Sequence, residues 1–321
     1  MFKDLWKLLV FLFVAGAGLI LACPSANSAD FPKKPIKLIA CAAAGGGEDI
    51  EARGIAPYLS RHLGVNVTVE DQPGAGGKIA FEKFMKTEPD GYSLITYTFP
   101  KSIILEYMGK VGYRTRDYTP VFVWSRMNLV LVVNADTWKT FDEFLKAAKN
   151  KVLTGGVSGI GGTSQLAGLI AVNELGIKVN WVPYEGSAGS LAALAGKHLD
   201  FTISSALSAA TLMRAGKLRP LLMLSDQRDP YFPEVPIPKD LGISITIIPN
   251  TRGVQAPPNT PPSIVKILEE AFYQTVKEPE YIEWTKKSKM VLQPLSAKEF
   301  GQVVEVAYPK VEQFKEMLQG K

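Results

Sequence analysis

Apolar and polar positions fall in blocks that read alternately as strands and helices. Pro35-Ile36-Lys37-Leu38-Ile39-Ala40 is an apolar run of strand length, and Gly45-Gly46-Gly47 makes a turn after it. Ile50, Ile55, Leu59 and Leu63 then recur at helical spacing, with Gly64 beyond the helix end. Val65, Val67 and Val69 alternate as the next strand. Strand, helix and strand at this spacing form a βαβ unit, which implies a parallel sheet with a right-handed crossover. The order returns further on. Leu129 to Val133 reads as a strand, Phe141 to Ala148 as a helix and Lys151 to Thr154 as a short strand. A glycine-rich turn leads into a helix from Thr163 to Leu175, and Val179 to Val182 is again a strand. Tyr184-Glu185-Gly186-Ser187 leads into a helix ending at Ala195, followed by strands at Phe201 to Ile203 and Leu221 to Leu224, with a helix ending near Gly216 between them. Ile264, Leu268, Ala271 and Phe272 share one helix face, and a second amphipathic segment runs from Phe300 to Leu318.

Length and composition narrow this α/β pattern. At 321 residues the chain suits two lobes rather than one core. The formal charge is +5, but Lys and Arg are interspersed with Asp and Glu, so no basic patch for nucleic acid is expected. Lys3 and Lys7 precede an apolar run from Leu8 to Ala22, and small and polar residues follow it. The run is shorter than the ~20 residues that span a bilayer, so residues 1–28 are expected to be a secretory leader cleaved after Ser28. Ile20-Leu21-Ala22-Cys23 keeps lipid anchoring at Cys23 open as the other processing route. The two cysteines are Cys23 and Cys41, so cleavage after Ser28 leaves no internal disulfide. Cys41 is expected to be a small buried residue.

Candidate chemistry gathers at three strand-to-helix turns: Gly45-Gly46-Gly47-Glu48-Asp49, Ser158-Gly159-Ile160-Gly161-Gly162-Thr163-Ser164-Gln165 and Tyr184-Glu185-Gly186-Ser187-Ala188. Open α/β sheets bind ligands at the carboxyl ends of their strands. Unpaired N–H groups at a helix start favour an anion, and glycine lets the backbone come close to it. The alternative is that these glycines only make tight turns and the hydroxyls only cap helices. Gly74-Ala75-Gly76-Gly77-Lys78-Ile79 fails as a phosphate loop, since Gln72 and Ile79 stand at two of its required positions. Gly159-Ile160-Gly161 lacks the third glycine of a dinucleotide fingerprint. His62 and His198 are the only histidines, and both read as surface residues. No catalytic residue, metal site or cofactor is indicated.

In this order and spacing the turns resemble the substrate-binding proteins of the tripartite tricarboxylate transporters, the TctC or Bug receptors. The family's Pro-Phe-x-Pro-Gly-Gly-x-x-Asp turn corresponds to Cys41 through Asp49, and its Glu-Asn-x-Pro-Gly-Ala-Gly-Gly run to Glu70 through Gly77. Pro89-Asp90-Gly91-Tyr92, the Ser-Gly-x-Gly turn from Ser158 to Ala167, Val182-Pro183-Tyr184-Glu185-Gly186-Ser187 and Ala256-Pro257-Pro258 continue the series. The resemblance implies an α/β, periplasmic binding protein-like fold, with two α/β lobes joined by a hinge and the ligand cleft between them. Residues 29–130 and 250–321 would form lobe 1, and residues 131–249 lobe 2. It further implies a receptor, not an enzyme, that delivers a small carboxylate to membrane transporter subunits. Such a protein is expected to be periplasmic and monomeric, with no nucleic acid and no cofactor.

The ligand contacts so implied are Ala44, Gly45, Gly46, Gly47 and Asp49 in the first turn. Ser158, Gly161, Gly162, Thr163, Ser164 and Gln165 follow in the second, then Tyr184 and Gly186 in the third, with Phe99, Lys101 and Ser205. This chain departs from the pattern. Cys41, Ala42 and Ala44 replace the Pro and Phe residues of the first turn, Gln165 replaces a histidine and Glu185 a lysine. Those changes point to a monocarboxylate, an amino-bearing acid or an aromatic acid as much as to a dicarboxylate. Lys101 stands as either a substitute cation or a solvated loop lysine. An exported α/β hydrolase and a ligand-sensing subunit of a membrane signalling protein are the competing readings.

Overall fold

The first apolar run becomes β1 (Ile36–Ala40), and β2 (Val67–Asp71) lies parallel to it with Ile36 opposite Val67. The structure, a computed structural model, describes residues 31–320 apart from 43, 46 and 185, with Tyr97 by its backbone alone. The expected leader, Cys23, Gly46 and Glu185 lie outside the described residues. Between β1 and β2, α1 (Gly47–Leu63) buries Ala52, Ile55, Ala56, Leu59 and Leu63. Ile50, expected on that face, is exposed instead. The inward directions of the first helical turn are taken by Glu48, Asp49 and Glu51, all buried because each has partners there.

After α2 (Lys78–Phe84), β3 (Ser93–Phe99) pairs parallel on the other side of β1. The chain continues through α3 (Lys101–Met108) and β4 (Thr119–Arg126), then passes through Met127 and Asn128 into a second sheet. That sheet contains β5 (Leu129–Asn134), β6 (Leu153–Val157), β7 (Val179–Pro183), β8 (Phe201–Ser205) and β9 (Leu218–Leu224), in the order β7-β6-β8-β5-β9. Its helices are α4 (Phe141–Asn150), α5 (Thr163–Leu175), α6 (Ser187–Ala195) and α7 (Ala206–Arg214).

From β9 the chain returns across residues 225–250 to β10 (Thr251–Ala256). It ends with α8 (Pro262–Thr275), α9 (Pro279–Ser288), β11 (Val291–Leu295), α10 (Ala297–Glu312) and α11 (Lys315–Leu318). β10 inserts antiparallel between β3 and β4, giving the order β11-β4-β10-β3-β1-β2. The sheets are therefore mixed, not parallel throughout as the βαβ pattern alone implies. The parallel pairs come from the βαβ units, and the antiparallel ones involve β5, which enters the second sheet from the first, and β10 and β11, which return to the first sheet late in the chain.

One apolar cluster runs through both sheets, from Phe99, Ile103 and Val123 to Leu131, Ile203 and Leu222. α3 and α11 pack against α5 across it. Among the described residues, no helix is long and apolar enough to cross a membrane.

Candidate functional site

The carboxyl ends of β1 and β3 carry the first turn. Ala44 and Gly45 are exposed on it, and Gly47 opens α1. Gly45 has φ +76°, where a side chain would be strained. Its N–H donates to Asp49 Oδ2 at 2.8 Å. Asp49 also pairs with Arg53, whose guanidinium reaches Asp71 Oδ2 at 2.6 Å. Burial first, and the neighbouring Asp49 carboxylate, push the Asp71 carboxyl above its ordinary range despite Arg53. Asp49 thus shapes the turn from behind; its buried carboxylate is committed to Gly45 and Arg53.

Beneath the turn lies a buried polar group that sequence reasoning missed. Arg252 of β10 donates to the Gly47 carbonyl at 2.8 Å and to Thr98 Oγ1 at 3.1 Å, and pairs with Glu51. Glu51 also accepts from Trp124 Nε1 at 2.9 Å and Ser125 Oγ at 2.7 Å. Glu48 accepts from the Thr98 N–H at 3.1 Å and lies 3.7 Å from Lys101 Nζ. Burial alone would raise the Glu48 carboxyl, but Lys101, Arg252 and the Thr98 hydrogen bonds outweigh it and hold the carboxyl below its ordinary range. Lys101 is neither a loop residue nor solvated. It opens α3, its side chain is only 17% exposed, and its charge faces Glu48. Cys41 is buried, and burial, then Glu48, push its thiol up. Phe99 corrects an expectation as well: its side chain is fully buried and meets Phe300 edge-on, so it serves the core rather than a ligand.

The second turn joins β6 to α5. Ser164 accepts from the Ser158 N–H at 3.0 Å and shares a hydrogen bond of 2.8 Å with the Ser158 hydroxyl. Gln165 Oε1 accepts from the Gly161 N–H at 2.7 Å. Ser164, Gln165 and Gly161 therefore fix the loop from within. Gly162 is the N-cap of α5, and no side chain caps that helix. The N–H groups of its first turn, at Thr163 and Ser164, lack intrahelical acceptors and suit an anion. α6 likewise starts at an uncapped glycine, Gly186, which is exposed. α7 contrasts with both: Ser205 Oγ accepts from the Ser208 N–H at 3.1 Å and caps it.

Strand order brings these pieces together. Val157 stands opposite both Pro183 and Ile203, so Ser158, Tyr184 and Ser205 share one end of the second sheet. A β-carbon on Gly159 would lie 3.9 Å from the Tyr184 carbonyl. The glycine turn at residues 74–77 links the two main turns. A β-carbon on Gly77 would come within 3.2 Å of Cys41 Cβ, and one on Gly76 within 3.6 Å of the Ile160 carbonyl. Gly161 in turn packs against Leu105 and Met108 of α3. The Ser158 hydroxyl bonds Ser164, and His62 pairs with Glu278 at 2.6 Å. Among the described residues, no cluster of His, Cys, Asp and Glu could hold a metal.

Two mixed α/β sheets, linked by two crossings and carrying glycine turns at matching strand ends, define a periplasmic binding protein-like fold. The chain belongs to the family of tripartite tricarboxylate transporter receptors, whose family model, "Tripartite tricarboxylate transporter family receptor", matches residues 51–319. A UPF0065 protein of Cupriavidus necator is 33% identical over 303 residues, 90% of this chain and 92% of that one. A TctC solute binding protein from Polaromonas superposes with a TM-score of 0.74 at 30% identity, covering 90% of this chain and 98% of its own. The R. palustris protein Rpa4515 with adipate gives 0.79 at 26% identity, over 91% and 99%.

Proposed function

We propose that this protein is an extracytoplasmic solute-binding receptor that captures a small carboxylate between its two sheets and delivers it to a membrane transporter of the tripartite tricarboxylate type. The observation that carries this reading is the glycine-capped start of α5. The free N–H groups of Thr163 and Ser164 stand with Ser158 at one end of the second sheet, which the glycine turn at 74–77 joins to the first turn. Adipate on the R. palustris relative supports a carboxylate ligand. The lobes are residues 29–130 with 250–321, and residues 131–249. The hinge comprises Met127-Asn128 and the return at 225–250, and the ligand bridges the lobes and stabilises the closed form. The working compartment is the periplasm, reached through the leader over residues 1–28, with Cys23 as a lipid anchor if cleavage falls there. The receptor acts as a monomer.

The charge balance shapes the ligand class. Lys101 faces Glu48 and Arg252 faces Glu51, so neither presents an unpaired cation to a second carboxylate. A thermal-shift screen against mono- and dicarboxylates tests the reading. A bound acid at ~100 times its dissociation constant adds about 2.7 kcal/mol of stability, seen as a clear rise in melting point. No rise with any acid, in protein free of co-purified ligand, would sink the receptor reading and favour an ester-hydrolysis assay next.

A further inference from the structure

Asp71, at the end of β2, is connected to the first turn through α1. Arg53 of α1 stands between two carboxylates. It pairs with Asp49, four residues before it in the helix, and its Nη2 lies 2.6 Å from Asp71 Oδ2. Asp49 in turn accepts from the Gly45 N–H at 2.8 Å. Both acids are enclosed, with side chains 5% and 16% exposed, whereas half of the Arg53 side chain is open to solvent. Asp71 Oδ1 is buried and, among the described residues, no donor bonds it. The Asp49 carboxyl lies within hydrogen-bonding reach of Asp71. The neighbouring charges are committed elsewhere. Glu48, next to Asp49, faces Lys101. β1 places Ala40 opposite Asp71, and Lys37 of β1 pairs with Glu70, which also accepts from Gln72. The turn after Asp71 carries no charge before Lys78, and Lys78 donates to the Lys110 carbonyl at 2.6 Å and faces Glu82.

Two ionised carboxylates on one guanidinium leave a negative charge unmatched, and neither can donate to the other. One proton between them removes both difficulties. We propose that Asp49 and Asp71 share one proton, and that this proton ties the end of β2 to the first turn. While it is present, Asp71 donates to Asp49, and Asp49 keeps Arg53 and the Gly45 N–H. When it leaves to solvent, the two carboxylates repel across Arg53 and the tie is lost. The turn that carries Gly45 is therefore held more firmly in acid than at neutral pH. Burial, with the bond and charge of Asp49, lifts the Asp71 carboxyl above its ordinary 3.8 against the pull of Arg53. The proton's stabilising effect is thus fully present below 3.8 and is lost as the pH rises through the raised folded value. The tie needs only the turn; that it governs a bound ligand rests on the receptor reading.

Two measurements on the parent and on Asp71→Asn test it. The amide has nearly the shape of the acid and donates at every pH. In the parent, the Gly45 N–H resonance in nitrogen-correlated NMR is expected to move through a step with its midpoint above 3.8. In Asp71→Asn that step is expected to vanish. In urea unfolding, Asp71→Asn is expected to be the more stable protein at pH 7, with an advantage that shrinks as the pH falls towards 3.8. No step at Gly45, or a step that survives the substitution, overturns the shared proton. So does a variant no more stable than the parent at pH 7, or an advantage that stays constant with pH. If acids bind in the carboxylate screen and the shared proton fails, the receptor reading stands without it. If the proton is found and no acid binds, the tie stands and the receptor reading falls.

Discussion

Glu48 shows how the first turn is held by residues that a ligand need not touch. Its carboxylate is buried beside Lys101 and accepts from Thr98, while Arg252 grips the carbonyl of the adjacent Gly47. Because its folded pKa lies below the ordinary value of 4.5, Glu48 stabilises the protein at neutral pH. That contribution is fully present above 4.5 and is lost as pH falls through the lowered folded value. Glu48→Gln is therefore expected to be less stable than the parent at pH 7 in urea unfolding, with the gap narrowing as the pH drops below 4.5. A gap that stays constant with pH would mean that the side chain acts through packing alone. Some of this was legible in sequence. The turns, their glycines and their position before helices could be read from spacing. That Asp49, Ser164 and Gln165 fold back to shape those turns could not, because local hydrogen bonding depends on backbone angles. Arg252 gave no local signal either, since its partners Glu51 and Thr98 lie more than 150 residues away in the chain.

At the scale of elements, α1 is aimed by its contact with α9 as well as by the sheet. Trp284 of α9 lies over Gly54 so closely that an added β-carbon would fall 2.1 Å from two of its ring atoms. The indole is also stacked on Tyr281, with centroids 5.6 Å apart, and Tyr281 in turn meets Tyr58 edge-on. A rigid ring held on its far side cannot step away as a flexible side chain can. Gly54→Ala is thus expected to lower stability by about 1–3 kcal/mol, even though alanine favours a helix interior more than glycine does. Chemical denaturation measures it, and a stabilised variant would show that α9 shifts freely. α2, α3, α9 and β3 went unread, whereas the other helices, the strands of the first βαβ unit and those of the second sheet were legible because each carries its own period. β4, β10 and β11 were not. β10 reads Thr-Arg-Gly-Val-Gln-Ala, polar in pattern yet buried along its whole length. Its burial depends on the strands either side, β3 and β4, which lie more than 120 residues earlier in the chain.

The whole molecule poses a question that hinge closure makes specific. Receptors of this shape are pictured as two lobes moving about a crossing, and here the chain crosses twice. The Met127 N–H donates to the Asn250 carbonyl at 2.8 Å and Arg126 Nη1 to Gln227 Oε1 at 2.7 Å, so the crossings are tied to each other. Beyond them the apolar cluster is shared, and α3 and α11 of the first sheet's side rest on α5 of the second. Lobes that share a core lose it together, so urea unfolding is expected to be one cooperative transition. Two tryptophans report on the two halves. Trp124 is fully buried and stacks on Phe272 beside the first sheet, and Trp181 meets Phe201 in the second. Variants that keep Trp124 or Trp181 as the single one of the five tryptophans should share a midpoint with each other and with far-ultraviolet circular dichroism. A bound carboxylate should move both midpoints by the same amount, because a ligand that bridges the lobes stabilises the unit rather than one half. Separate midpoints would mean that the core divides at the crossings. Closure would then be a docking of independent lobes, and a ligand held mainly by α5 would shift only the Trp181 transition.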